Sequence, residues 1–352
     1  MDRYLYGPLT RLIVEARLQR IDISAGCIDK TSSAELSEAI NSMFTWYENA
    51  AACFVYLNDV FVHDVDQDQR QEFIESSWFL RGWTLQELLA PKHLVFCNAR
   101  WAILGCRNMP EHSPHFEKFY GPSLIDTVAY TTGIRRAYLR GGAASALNQA
   151  SIGERLSWAA KRKTTRKEDE AYCLLGILQL NMPLLYGEKE KAFFRLQQAV
   201  MQQSTDKSLF AWTLPTGSGT SCEGMLAPSP KAFAMSLGFD IPCYADGSVT
   251  TLNSRGLHLR GRAVKVPAEE FNQHVRSVGG RSVVEVKSDV YFLRFRDTSP
   301  GFPRQSLIVA LAKRFDDQFQ RVCIDDIGQK FDQLFALTTR KREAMQSFYI
   351  DV

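Results

Sequence analysis

The sequence lacks the patterns that would place the protein in a membrane or in the secretory pathway. No apolar run is long enough for a membrane-spanning helix, and Met1–Thr10 contains charged residues, glycine and proline in place of an apolar signal-peptide core. The eight cysteines are scattered and include no Cys-x-x-Cys pair, which argues against a disulfide framework and a zinc site. We therefore predict a cytoplasmic protein whose thiols are free and largely buried.

A strong charge of either sign is also missing. The formal net charge is +3 over 352 residues, too small to favour nucleic acid or a membrane surface as a partner. The one dense basic run, "KRKTTRK" (161–167), has no aromatic residues beside it. It predicts cations at the C-terminus of one helix, followed by a new helix capped by Thr165 with Glu168 at capping-box spacing, and no nucleic-acid site.

Several catalytic signatures are absent as well. "GSGTSCEG" (217–224) lacks the spacing of a phosphate-binding loop, and no Gly-x-Ser-x-Gly turn occurs. His112 and His115 stand beside Glu111 at a spacing that metal ligands use, but Pro114 lies between them and no third ligand is evident. We predict a loop there and no metal site.

Residues 1–105 read as an α/β layer. The apolar runs "ACFVYL" and "KHLVFC" predict two neighbouring parallel strands buried on both faces. Ser32 and Glu35 have capping-box spacing, which predicts the start of a helix. Further helices are predicted over 8–20 and, continuously between the two strands, over 66–90. The alternation of helices and strands predicts a parallel-sheet core.

The pattern then changes twice. Residues 106–205 are mostly helical in character, and residues 206–352 alternate with period two, which predicts a β-rich antiparallel segment that packs on the helical segment. The predicted strands are "SLFAWT", "VTTLN", "GLHLRGRAVKV", "VVEVKSDVYFLRFRD" and "SLIVALAKRF", with "NSRG" as a hairpin turn. A final helix is predicted over "KFDQLFALTTRKREAMQ". We thus divide the chain into segments 1–105, 106–205 and 206–352.

Glu87 is the residue that invites a functional interpretation. By pattern it is a helical glutamate among leucines, and such residues are most often solvated. It also shares a helix face with Trp83, one turn earlier, and its helix lies between two strands of an α/β sheet. Ligands bind such sheets at the carboxyl ends of the strands. Both interpretations, surface group and active-site carboxylate, remain open on the pattern alone.

Long ordered blocks carry a resemblance to a known family. The blocks are "CIDKTSSAELSEAINSMFTWYENAAACFVYLNDV", "SSWFLRGWTLQELLAPKHLVF" and the stretch from "RLSWAAKRK" to "DKSLFAWT", followed by "GMLAPSPKAF" and "NSRGLHLRG". They resemble fungal heterokaryon-incompatibility (HET) domain proteins over most of residues 22–260. The resemblance implies a role in non-self recognition between fungal individuals, in which fusion of incompatible cells triggers cell death.

HET domains in turn resemble TIR domains, which cleave NAD at the nicotinamide–ribose bond and carry a Trp-Cys-x-x-Glu motif. Trp83 and Glu87 match that motif, whereas Thr84 replaces the cysteine and Arg81 stands where a serine is usual. The resemblance implies a TIR-like, flavodoxin-like core, NAD as a substrate with no cofactor, Glu87 as the catalytic residue, and Trp83 as a substrate-binding wall. Asp29, in "CIDK", matches a family position that binds substrate or caps the next helix.

The sequence also departs from the family. The first strand and the Ser-His-x-Trp segment are not recognisable, and "RIDISAGCIDK" alters the segment before Asp29. We therefore expect an N-terminally truncated HET domain with an altered cleft. The alternative function is a catalytically inactive interaction module that assembles with a sensor, with a full-length HET protein, or with itself. A catalytic cleft needs access to Glu87, whereas an interaction module tolerates a buried or hydrogen-bonded Glu87.

Overall fold

The computed structural model describes twelve stretches of the chain. They are residues 32–63, 65, 70–107, 121–140, 147–213, 221–236, 250–253, 256–277, 286–296, 306–315, 318–323 and 344–350. These residues divide into two compact units, the first within Met1–Gln149 and Lys161–Lys189, the second within Ala150–Ala160 and Glu190–Val352. The two units cut across the three predicted segments, because residues of the helical segment 106–205 contribute to both.

Helices and strands alternate in the first unit, and strands dominate the second. The α-helices, in chain order, are α1 (Ser33–Asn49), α2 (Arg70–Ile74), α3 (Thr84–Leu89), α4 (Ile125–Thr132), α5 (Arg136–Leu139), α6 (Ile152–Ser157), α7 (Asp169–Tyr172), α8 (Leu175–Leu178), α9 (Lys191–Gln203) and α10 (Ala268–Ser277). The 3₁₀ helices are Ser77–Leu80, Lys207–Phe210 and Pro230–Ser236. The strands are β1 (Cys53–Tyr56), β2 (Leu94–Cys97), β3 (Ile103–Cys106), β4 (Ser221–Glu223), β5 (Thr251–Asn253), β6 (Gly256–Val266), β7 (Val290–Arg296), β8 (Ser306–Phe315), β9 (Gln318–Cys323) and β10 (Ala344–Ile350).

The sheet of the first unit confirms that the predicted strands are parallel neighbours, but burial on both faces holds only for β2 and is wrong for β1, where Val55 is buried and Tyr56 is exposed. Strands β1 and β2 are adjacent and parallel, with Cys53 opposite Leu94 and Tyr56 opposite Cys97. Their order in the sheet is β1-β2-β3, and β3 runs antiparallel to β2. A purely parallel core is therefore not what the described residues form, because β3 follows β2 by a turn too short for a crossover helix. Helices and strands still alternate along the chain, so this unit is an α/β arrangement.

The crossover from β1 to β2 is interrupted, so the continuous helix predicted over 66–90 is wrong. It consists of α2, the 3₁₀ helix Ser77–Leu80 and α3. Asp59, after β1, accepts hydrogen bonds from the Ser76 hydroxyl and the Ser77 amide, both 2.7 Å long. These bonds begin a new turn at Ser77 in place of a continued helix. Trp83 is the residue before α3 and is not within a helix.

Helix α1 begins where the capping box predicted. The Ser32 side chain accepts a hydrogen bond from the Glu35 amide, and the helix buries Ala39, Ile40 and Phe44. The second predicted capping box is wrong. Helix α7 begins after Glu168, and the Glu168 carboxylate instead accepts hydrogen bonds from the Gly187 and Lys189 amides at 2.7 and 3.0 Å.

The second unit contains the predicted β-rich sheet. The pairings run in the order β10-β6-β7-β8-β9-β4 and are antiparallel, with β5 beside β6. A short parallel pairing of β10 with β9 closes the sheet into a ring. The hairpin between β5 and β6 is confirmed by the pairing of Asn253 with Gly256.

Two predictions for this unit are wrong. "SLFAWT" begins in the 3₁₀ helix Lys207–Phe210, which the Asp206 side chain caps, and not in a strand. The end of the predicted final helix, Ala344–Gln346, is part of β10, where pairing with β6 overrides the helical pattern. Helix α10 was not predicted.

Some predictions fall outside the described stretches. These are the helix over 8–20, Asp29, and the loop with Glu111, His112 and His115. Within the described stretches, no helix is long and apolar enough to cross a membrane. The same stretches contain no cluster of three or more side chains that could hold a metal ion.

Candidate functional site

Glu87 lies on α3 among groups that stabilise a negative charge. Helix α3 buries Leu85, Leu88 and Leu89 and leaves Glu87 partly exposed. The side chains of Trp78 and Tyr47 donate hydrogen bonds to its carboxylate, and the guanidinium groups of Arg81 and Arg162 interact with it electrostatically. Glu87 is therefore neither a solvated surface group nor an isolated buried one.

Burial is the dominant influence on this carboxylate. Desolvation raises the pKa of Glu87 above its ordinary value, although the hydrogen bonds from Trp78 and Tyr47 and the two arginine charges oppose the change. A carboxylate whose pKa is raised can stabilise a developing positive charge when it is ionised, and it takes up a proton more readily than an ordinary carboxylate. This combination is typical of catalytic carboxylates.

The tryptophan that contacts Glu87 is Trp78, which the sequence analysis did not single out. Its ring is 5.8 Å from Phe96 of β2 and 5.1 Å from Phe79, measured between ring centroids. Trp78 thus belongs to the aromatic core over one face of the sheet and also donates to Glu87. Trp78 lies in the same sequence block as Glu87, "SSWFLRGWTLQELLAPKHLVF", so the sequence offered it as a candidate. Its contact with Glu87 depends on the break between the 3₁₀ helix and α3, which the sequence analysis did not predict.

The charge of Glu87 also acts on strand β1. Burial, and after it the negative charge of Glu87, raises the pKa of the Cys53 thiol, at the first residue of β1, to about 12. That Glu87 lies at the carboxyl ends of the strands, where ligands usually bind parallel sheets, stays a prediction.

Trp83 makes a different contact from the one expected. Its side chain donates a hydrogen bond to the Asp169 carboxylate, which also accepts a 3.0 Å bond from the Tyr186 hydroxyl. Burial raises the pKa of Asp169 despite both bonds. Arg166 stacks on the Tyr186 ring, 4.6 Å from its centroid. Trp83 is half-buried, so one edge of its indole is fixed by Asp169 while part of the ring stays accessible.

The basic run 161–167 docks against the segment that precedes α3. The amide of Lys163 donates to Leu80 O at 2.6 Å, and the amide of Gly82 donates to Lys163 O at 2.9 Å. Gly82 is required there, since a Cβ atom would lie 2.4 Å from the Thr164 methyl carbon. One cation of this run, Arg162, is buried and only 7% exposed.

Arg162 joins this contact to Glu87. Its Nη1 donates to Arg81 O at 2.8 Å and to the Thr84 hydroxyl at 2.9 Å. Thr84 Oγ1 in turn lies 2.6 Å from Trp78 O and donates to it. The Thr84 hydroxyl therefore links Trp78, which precedes Trp83, to Arg162.

An open cleft of about 760 Å³ lies elsewhere in the first unit, along α1. It is lined by Ser37, Asn41, Ser42, Thr45, Trp46, Asn181, Met182 and Pro183. This lining includes no charged side chain, so it offers no cation to pair with the phosphates of a dinucleotide. Glu87 is not among the residues that line it.

Comparison with known proteins found similarity to one incompatibility protein. The chain is 44% identical over 179 residues to the vegetative incompatibility protein HET-E-1 of Podospora anserina. The predicted resemblance is thereby confirmed, although the match covers 49% of this chain and only 12% of the relative. No family model and no solved structure matches the chain.

This chain thus contains a carboxylate, that of Glu87, with two side-chain hydrogen bonds and two nearby cations. The structure brings Glu87 together with Tyr47, Trp78, Arg81 and Arg162. Trp83 contacts Asp169 instead of Glu87. Sequence reasoning missed Arg162 and Asp169, because their contacts join residues about 80 positions apart and no local pattern reports them.

Proposed function

We propose that this chain is an effector of fungal vegetative incompatibility whose first unit cleaves NAD at the nicotinamide–ribose bond. The similarity to HET-E-1 over 179 residues supports the role in incompatibility. The surroundings of Glu87 support the chemistry, and they are the observation that carries this part of the proposal. The parallel pair of β1 and β2 with its helical crossover is compatible with a TIR-like core.

The reaction suits a single carboxylate. The bond from ribose C1′ to the nicotinamide nitrogen breaks with both electrons going to the nitrogen, so nicotinamide leaves neutral and needs no acid. Positive charge builds on the ribose, and the ionised Glu87 stabilises it. Water then bonds to C1′ and its proton passes to Glu87 or to solvent, which a carboxylate of raised pKa accepts.

Two neighbours of Glu87 have roles in this proposal. The exposed guanidinium of Arg81 is placed to bind the pyrophosphate of NAD, which presents two negative charges. The accessible part of the Trp83 ring offers an apolar wall for nicotinamide or ribose. The hydrogen bond from Trp83 to Asp169 holds that ring in one orientation.

A second candidate function has its own support. Glu87 is partly buried and hydrogen-bonded by Trp78 and Tyr47, an environment that a catalytically inactive interaction module also tolerates. In that case the chain assembles with a sensor, with another HET protein or with itself, and cell death follows from assembly.

Cell death in a fungal host separates these functions. The host expresses the wild-type chain, Glu87→Gln, or the control Glu75→Gln, which changes an exposed glutamate of the same crossover. NAD cleavage predicts that Glu87→Gln abolishes death and NAD depletion, whereas Glu75→Gln leaves both unchanged. Death without NAD loss in the Glu87→Gln strain contradicts the enzymatic function and supports the interaction module.

A further inference from the structure

Arg162 is a buried cation that hydrogen-bonds to residues on both sides of Trp83 and interacts electrostatically with Glu87. Its Nη1 holds the Arg81 carbonyl at 2.8 Å and the Thr84 hydroxyl at 2.9 Å, which fixes the backbone on both sides of Trp83. Burying a guanidinium costs free energy unless hydrogen bonds and a nearby negative charge compensate it. Glu87, three residues after Thr84 on the same helix, supplies that negative charge.

We propose that Arg162 is a positioning residue that fixes the Arg81–Thr84 segment and sets the electrostatic environment of Glu87. This inference rests on the proposed function of Glu87 for its consequence in catalysis. The positioning itself rests on the contacts of Arg162 and can be measured without any catalytic activity.

Other groups act on the same carboxylate and define what Arg162 adds. Tyr47 donates to Glu87 from α1, Trp78 donates from the 3₁₀ helix, Arg81 contributes an exposed charge, and the Cys53 thiol of β1 interacts with Glu87 electrostatically. Arg162 also interacts electrostatically with the Cys173 thiol. The charge of Arg81 acts on Glu87 more strongly than that of Arg162, but Arg81 is exposed, so added salt screens its charge, whereas the buried charge of Arg162 is screened much less.

The direction of the effect follows from the sign of the charge. A nearby cation favours the ionised form of a carboxyl group, so removing it must raise the pKa of Glu87 further. The acid limb of the activity profile then moves to higher pH by the same amount. An Arg162 that only packed the fold would lower activity equally at every pH.

The test is an NMR titration of Glu87 in the full chain labelled with ¹³C at the glutamate carboxyl carbon. The signal is assigned by its absence in Glu87→Gln. We expect Arg162→Met to raise the pKa of Glu87, Arg162→Lys to restore most of the wild-type value, and Lys161→Gln, the change of an exposed neighbour in the basic run, to leave it unchanged. The acid limb of nicotinamide release should follow the same order.

If Arg162→Met does not fold, Thr84→Val serves in its place. Valine keeps the shape of threonine and removes the hydroxyl that Arg162 holds, so the pKa of Glu87 should rise by less than in Arg162→Met. An unchanged pKa of Glu87 in the folded variants overturns the proposal. A raised pKa in a chain that releases no nicotinamide supports the positioning role and counts against the proposed enzymatic function instead.

Discussion

Two buried arginines, one in each unit, have the same exposure and different surroundings. Arg162 and Arg321 are both 7% exposed. Arg321 donates to Phe210 O at 2.9 Å and to Trp212 O at 2.5 Å, and its guanidinium lies 3.9 Å from the centroid of the Trp212 ring. Arg162 also holds a carbonyl, but it reaches a hydroxyl on α3 and the charge of Glu87. Burial alone therefore does not assign a role to an arginine, and the proposed role of Arg162 rests on its contacts with the Arg81–Thr84 segment and on the charge of Glu87.

Arg321→Met should have the largest effect on stability. It removes the side chain that donates to the Phe210 and Trp212 carbonyls and takes the cation away from the Trp212 ring, so we expect a loss of about 3 kcal/mol in the free energy of unfolding. Denaturant unfolding followed by tryptophan fluorescence measures it. The NMR titration of Glu87 should not change. A loss below about 1 kcal/mol, or a changed Glu87 titration, breaks the comparison between the two arginines.

Two glycine substitutions sharpen the comparison between the units. A Cβ at Gly153, on α6, would lie 2.6 Å from the Ser208 carbonyl oxygen, whereas one at Gly82 would lie 2.4 Å from the Thr164 methyl carbon. We expect Gly153→Ala and Gly82→Ala each to cost about 1–3 kcal/mol, as overpacked sites do.

The rescue differs between the two sites. Thr164→Ala removes the methyl group that opposes Gly82→Ala, so the double variant should recover most of the lost free energy of unfolding. No side-chain truncation can remove the Ser208 carbonyl, so Ser208→Ala should not rescue Gly153→Ala. Failure of the Thr164→Ala rescue would show that the approach of the basic run to Gly82 is not what requires a glycine.

Glu168→Gln should have a smaller effect. Glutamine keeps an oxygen for the Gly187 and Lys189 amides but loses the charge that strengthens both bonds, which is worth about 1 kcal/mol. The control is Glu170→Gln, whose carboxylate lies 3.2 Å from the Lys167 ammonium in an exposed ion pair of little energetic value. Equal unfolding free energies for the two variants would contradict the assigned role of Glu168.

The smallest effect is on the pH dependence of the free energy of unfolding, to which Glu87 and Glu168 contribute with opposite signs. Burial raises the pKa of Glu87, so the free energy of unfolding should fall as pH rises from about 4.5 through the folded-state pKa. A hydrogen bond from its own amide, and then the bonds from Gly187 and Lys189, lower the pKa of Glu168, so its contribution is lost as pH falls below the unfolded value. The free energy of unfolding of the wild type, Glu87→Gln and Glu168→Gln is measured as a function of pH. Relative to the wild type, the two variants should change its slope with pH in opposite directions. Changes of the same sign would contradict the assigned pKa shifts.

The sequence predicted those features that depend on local patterns. The Ser32–Glu35 capping box begins α1, and the two apolar runs form the parallel pair β1 and β2. The break in the crossover was not predictable, because it depends on Asp59, which binds Ser76 and Ser77 from beyond the helical pattern. A periodicity argument counts apolar positions and cannot include such a bond.

The candidate site divides in the same way. Glu87 and Trp83 could be selected from a motif, but Arg162 appeared only as one cation of a basic run. Its burial follows from the docking of 162–164 on 80–82, which joins residues about 80 positions apart. The resemblance pointed to Glu87 as the glutamate to test, which stays a prediction, and the contacts around it are visible only in the fold.

The measurement that tests the central claim most directly is nicotinamide release from NAD by the purified chain. The account predicts measurable release by the wild type and by Glu75→Gln, and a loss of at least about a hundredfold in Glu87→Gln, because a preorganised charge at the reacting centre contributes on the order of 3 kcal/mol. Near-UV circular dichroism establishes that each variant is folded. Wild-type activity that survives in a folded Glu87→Gln variant would contradict the account, as would a folded wild type that releases no nicotinamide.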